Sequence, residues 1–82
     1  MAFSFQINRP ENISEALVRV AGKIQSGGGM FSGDEQSGSF TGRGVSGRYD
    51  VGNKITITIT QKPILASNSK VIDTITGYFS QN

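Results

Sequence analysis

Histidine and cysteine are both absent from this sequence. Their absence removes imidazole as a general base and thiolate as a nucleophile, and with them disulfides and the donor set that holds structural zinc. Charge is scarce as well. Eight Lys and Arg against six Asp and Glu leave a formal net charge of +2, a weak lure for a polyanion. No apolar run approaches the roughly 20 residues that a membrane-spanning helix needs. The chain does not open on a basic segment followed by an apolar one, so no secretory signal is expected and the expected location is cytoplasmic. With 82 residues there is room for one domain, 1–82. A chain of that size buries only about 60–65% of its unfolded surface, so its core must be thin.

Glycine, by contrast, is abundant. Nine of the eleven glycines lie between Gly27 and Gly52, where they signal turns, bulges or close approach of backbones. The most regular pattern of the chain, Val45 to Gln61, overlaps the end of this region and runs beyond it. Ile55, Ile57 and Ile59 alternate with Thr56, Thr58 and Thr60, the period of a strand with one buried and one wet face. Val45, Gly47, Tyr49 and Val51 alternate in the same way with Ser46, Arg48 and Asp50. Two such runs around Gly52-Asn53 make an antiparallel hairpin. A two-residue loop would put Arg48 on the core face, because a slip of one residue moves every side chain across the sheet. A three-residue loop, Val51-Gly52-Asn53, gathers the apolar groups together. It pairs Asp50 with Lys54, Tyr49 with Ile55 and Val45 with Ile59, with Gly52 or Asn53 at positive φ.

Other segments follow the same logic. Phe3, Phe5 and Ile7 alternate with Ser4, Gln6 and Asn8 in a first strand that Arg9-Pro10 ends. Asn12 to Gln25 reads as a helix with Asn12 as its cap and Glu15 completing a capping box. Its apolar stripe is Ile13, Leu17, Val20, Ala21 and Ile24, and Glu15 and Arg19 are spaced for an ion pair. Gly27 to Gly29 stops it. Met30 to Ser32 is a short strand, Asp34 to Ser37 a polar turn, and Gly38 to Thr41 a strand with Phe40 inward. A Gly42-Arg43 turn pairs Phe40 with Val45 and Gly38 with Gly47. After Pro63, Ser67 to Phe79 forms a second helix with Val71, Ile72, Ile75, Tyr78 and Phe79 on one face and Ser67 or Ser69 as its cap.

The order is therefore β-α-β-β-β-β-α. Each strand has one apolar face and each helix one apolar stripe. This predicts an α+β two-layer sandwich, an antiparallel sheet of four to five strands with both helices on one face. The other face stays open and carries Ser4, Gln6, Asn8, Ser39, Thr41, Ser46, Arg48, Thr56, Thr58 and Thr60.

Nothing in the residues assembles a catalytic, cofactor or metal site. The carboxylates are Glu11, Glu15, Asp34, Glu35, Asp50 and Asp73. Only Asp34-Glu35 is an adjacent pair, and it occupies a turn without the spaced oxygen ligands of a calcium loop. Gly27 to Gly29 follows a helix, whereas phosphate-cradling loops precede one. Gly42-x-Gly44-x-x-Gly47 has dinucleotide spacing but lies inside a hairpin. Two surfaces deserve weighing. Arg43, Arg48 and Lys54, with Thr56 and Thr58, could line the open face. Nucleic-acid binders pair such a strip with exposed aromatics, and here Phe40 and Tyr49 turn inward, which weighs against nucleic acid. Gly38 and Gly47, as neighbours facing the helices, would leave a dent for a helix, for Tyr78 or Phe79, or for an apolar ligand.

FSFQINRP, an amphipathic helix, a short strand before Gly33-Asp34, Gly44-Val45-x-Gly47-x-x-x-Val51, an alternating strand, and a closing helix through Ile72, Ile75 and Phe79 follow one another. This order resembles the polyhydroxyalkanoic acid system protein family of bacteria across nearly the whole chain. The resemblance implies a non-enzymatic cytoplasmic accessory protein, without cofactors, that contacts a storage-granule surface or granule proteins. The alternative is a weak nucleic-acid-binding module on the open face, and a homodimer through a sheet edge or the open face is a third reading.

Overall fold

The computed structural model describes residues 3–63 and 66–80. Its elements are β1 (Phe3–Asn8), α1 (Ile13–Ser26), β2 (Met30–Gly33), β3 (Ser37–Gly42), β4 (Val45–Val51), β5 (Lys54–Gln61) and α2 (Asn68–Ser80). The five strands form one antiparallel sheet in the order β1-β5-β4-β3-β2. α1 carries the chain from one sheet edge to the other. The meander β2 to β5 then walks back, so that β5 ends beside β1. The expected α+β sandwich is thus observed, with five strands.

The most apolar strand lies inside the sheet, between β1 and β4. There Ile55, Ile57 and Ile59 are each 0% exposed, while Thr56 and Thr58 are half-buried and Thr60 is exposed on the open face. The parity read from the sequence is therefore the parity of the structure. Each of those isoleucines contributes about 1.5–3 kcal/mol by leaving water. Ile13, Leu17, Val20 and Ile24 of α1 and Val71, Ile75 and Phe79 of α2 close the same core. Ala16 is buried with them, whereas Ala21, expected in the stripe, is only half-buried.

Local chemistry sets the helix ends. Asn12 Oδ1 accepts the Glu15 backbone N–H at 3.1 Å, one half of a capping box. The Glu15 carboxylate meets the Asn12 side-chain amide, at 3.5 Å, rather than its backbone. At the other end Gly29 N–H donates to Ile24 O (2.9 Å) and Gly28 N–H to Gln25 O (3.0 Å), with Gly28 at φ +87°. This is a Schellman closure, and a left-handed residue is what it requires. Ser67 Oγ accepts the Lys70 N–H at 3.1 Å and starts α2. Arg19, expected beside Glu15, instead donates to Phe79 O at 3.2 Å and ties α1 to the end of α2.

Both hairpin registers differ from expectation, each by the same step. Between β3 and β4 the turn is Arg43-Gly44, not Gly42-Arg43. Gly42 pairs with Val45, Phe40 with Gly47, and Gly38 with Tyr49. Arg43 (φ 54°) and Gly44 (φ 81°) are both left-handed, as the turn that matches strand twist demands. Between β4 and β5, Val51 pairs with Ile55, Tyr49 with Ile57 and Asp50 with Thr56. The Asp50–Lys54, Tyr49–Ile55 and Val45–Ile59 pairings do not form. Gly52, Asn53 and Lys54 separate the paired Val51 and Ile55, Gly52 N–H donates to Lys54 O (2.9 Å), and neither Gly52 nor Asn53 has positive φ. A bulge at Ser46/Gly47 shifts the pairing there, so that Ser46 stands opposite Gln61. Every inward residue stays inward, because both errors move the pairing by an even number of positions.

Candidate functional site

The corrected register removes the expected dent. Gly38 and Gly47 are not neighbours across two strands; each lies opposite an aromatic residue. A Cβ on Gly47 would stand 2.8 Å from Phe40 Cζ, and a Cβ on Gly38 would stand 2.6 Å from Tyr49 Cε1. The rings fill the space that the glycines leave, an arrangement that strengthens glycine-bearing strands. Tyr49 reaches on over Gly33, stacks on Phe31 at 5.6 Å, and meets Phe79 edge-on at 6.4 Å. Phe79 therefore seals the core, and Tyr78, half-buried, points to a different place described below.

The fold moves the titration of Tyr49 and of Asp34. The Tyr49 hydroxyl donates to Asp34 O at 2.7 Å. Burial, and secondarily the Asp34 charge, raise its pKa above the ordinary phenol value. Asp34 Oδ1 accepts the backbone N–H groups of Gln36 (2.9 Å) and Ser37 (3.0 Å). These bonds, that from Ser37 first, lower its pKa. Glu35 accepts the Ser14 hydroxyl at 2.6 Å. The Asp34-Glu35 pair thus serves the turn and its anchoring to α1. Among the described residues no group of three or more acidic, His or Cys side chains is placed to hold a metal.

The open face is polar except at Met30, which pairs with Thr41 at the edge of the sheet and is 73% exposed. One row across it reads Ser32, Ser39, Arg48, Thr58, Ser4, and the next Ser37, Asp50, Thr56, Gln6. Gln6 Nε2 donates to Thr56 Oγ1 at 3.2 Å. The basic strip, however, does not assemble. Arg48 lies at the middle of β4 with Asp50 two residues on. Arg43 lies in the turn before that strand and Lys54 opens β5 just past its other end, roughly 20 Å away at the usual rise per residue. Arg43 also leaves the face altogether. Its guanidinium lies against Gly27 at the end of α1, where a Cβ would stand 3.2 Å from Nε.

That departure leads to a feature the sequence did not announce. Where α1 stops and β3 turns into β4, and along α2 from Lys70 to Tyr78, the two layers leave a half-open cavity of about 320 Å³. Its floor is apolar: Ile24 from α1, Phe40 from β3, and Val71 and Ile75 from α2, all buried. Gly27 and Gly42 contribute no side chain to it, which is one reason the space exists. Val45, Pro63, Ala66 and Tyr78 complete the walls. The rim carries Lys23 from the last turn of α1, Arg43 from the β3–β4 turn and Lys70 from the first turn of α2. None of the six carboxylates of the chain, all at described positions, lines it. A further cation nearby, Lys62, is committed to Ala66 O at 2.7 Å. Sequence reasoning missed Lys23, Ile24 and Lys70 as members of one site, because they lie far apart in the chain and only the helix layer joins them.

No protein-family model matches the chain, and neither a curated protein nor a solved structure gives a significant match to it. Among the described residues no helix is long and apolar enough to cross a membrane.

Proposed function

We propose that this chain is a small non-enzymatic binding protein of a bacterial cytoplasm, an accessory protein of the polyhydroxyalkanoate system that works by apolar contact with a storage-granule surface. The observation that carries the reading is the cavity at the end of the sandwich, apolar at its floor and walled by both layers. A cavity between packed elements with few polar groups is the usual form of a site for an apolar ligand, and dense interiors leave few voids of this size. The setting is supported by the resemblance of FSFQINRP, the Gly44 to Val51 pattern and the closing helix.

Co-sedimentation with isolated polyester granules tests it. Binding that survives salt is the expected result, because apolar contact is not screened. A protein that stays wholly in the supernatant would reject the granule reading, and binding that vanishes at moderate salt would reassign it to simple charge attraction.

A further inference from the structure

We infer that the cavity is a binding site for a medium-chain aliphatic monocarboxylate, with the alkyl chain over Ile24, Phe40, Val71 and Ile75 and the carboxylate at Lys23, Arg43 and Lys70. The inference rests on the reading above that this cavity receives an apolar group, and adds the head group and the length.

Three observations meet here. The first is the division of the lining. Apolar side chains form the floor, and the charged ones belong to the rim alone. A wholly apolar ligand has no use for such a rim, and a compact polar anion has none for such a floor. The second is the sign. Three of the eight Lys and Arg of a lightly charged chain meet from three separate elements, with no Asp or Glu among the described lining residues to balance them. Like charges gathered in this way repel, and a bound anion relieves that repulsion. Arg43 also supplies a planar fork that matches a carboxylate. The third is size. An apolar cavity of about 150 Å³ accommodates the six carbons of benzene, so 320 Å³ accommodates on the order of ten non-hydrogen atoms. An eight-carbon carboxylate has that number.

The probe is sodium octanoate, titrated into the full chain labelled with nitrogen-15 and followed by amide NMR. Shifts should concentrate at Gly27, Gly42, Thr74 and Tyr78 and leave the open sheet face still. Each methylene that enters an apolar site strengthens binding about fourfold, so hexanoate should bind about 15-fold more weakly. Octanol should bind more weakly than octanoate, and octylammonium more weakly again. Combined Lys23→Gln, Arg43→Gln and Lys70→Gln should weaken octanoate roughly tenfold, a modest loss because these cations are exposed, and should leave octanol unchanged. Gly42→Ala should weaken both ligands. An added Cβ there meets only Gly29 Cα at 3.5 Å and Ile24 Cγ2 at 3.9 Å, ordinary contacts, so the variant should fold.

Octanol binding as tightly as octanoate, with the triple variant indifferent, would overturn the carboxylate inference and leave the apolar site standing. Failure of every eight-carbon probe to shift the cavity amides would overturn both. Octanoate shifts centred on Arg48 and the open face would place the anion elsewhere and refute the assignment.

Discussion

Alanine in place of glycine should have opposite effects at two positions of this chain, and the contrast tests the packing of Tyr49. At Gly38, an added Cβ would stand 2.5 Å from Ser32 O, 2.6 Å from Tyr49 Cε1 and 2.7 Å from Gly33 Cα. Two of these atoms are backbone, and the third belongs to a ring held between Phe31, Phe79 and the Asp34 carbonyl. None moves easily. Overpacking of this kind costs about 1–3 kcal/mol, and the loss of glycine's freedom in the unfolded chain returns about 0.4–1 kcal/mol. The net loss should be about 1–2 kcal/mol, or a melting temperature lower by about 4–16 °C for a domain of this size. At Gly22, exposed in α1, an added Cβ meets nothing within 4 Å. There alanine should gain about 0.5–1 kcal/mol from helix propensity alone. Thermal and urea denaturation followed by circular dichroism would read both, with equal m-values required for the comparison. A Gly38→Ala protein that melts at or above the parent, while Gly22→Ala gains as expected, would refute the placement of Tyr49 over Gly38.

Ile57→Ala should cost about 2–5 kcal/mol and Ile57→Val about 0.5–1.5 kcal/mol, since this side chain is wholly buried; equilibrium unfolding checks both. Ser67→Ala should cost about 0.5–2 kcal/mol through the lost cap of α2, with Ser67→Asp close to neutral in the same melts. Tyr49 has a raised pKa in the fold, so its contribution is complete below the unfolded phenol value and is lost as pH rises through the higher folded value. In a Tyr78→Phe background, the tyrosinate absorbance of Tyr49 should therefore rise only above about pH 10, in step with loss of stability. Asp34 is displaced the other way. Its contribution is present above the unfolded carboxylate value and is lost as pH falls through the lower folded one, and Asp34→Asn should flatten the stability profile in that acid range.

Much of the architecture was legible because a strand shows its two faces directly in the alternation of its residues. The isoleucines of β5, the cap at Asn12, the glycine stop after Ser26 and the inward Phe40 each follow from short-range rules. Registers were less legible for a physical reason. Moving a pairing by two positions leaves every side chain on its own face, so hydrophobic pattern is blind to it, and turn geometry decides. Arg43 at φ 54° is the instance. A non-glycine residue in the left-handed region is not what composition suggests, yet Arg43-Gly44 is the turn that lets Gly38 receive Tyr49 and Gly47 receive Phe40. The dent expected at Gly38 and Gly47 and the strip considered at Arg43, Arg48 and Lys54 both depended on that register or on the turn, and neither forms.

The residues alone determined which groups leave water, because burial is dictated by chemistry repeating with the period of each element. Only the tertiary structure decided which of those groups meet. Lys23, Arg43 and Lys70 are 20 and 27 positions apart along the chain, and no periodicity connects them. They share a rim because α1 crosses the sheet from edge to edge and stops where α2 begins and β3 turns. That meeting is a property of helix docking on a twisted sheet, and it is there that the chain has a cavity to fill.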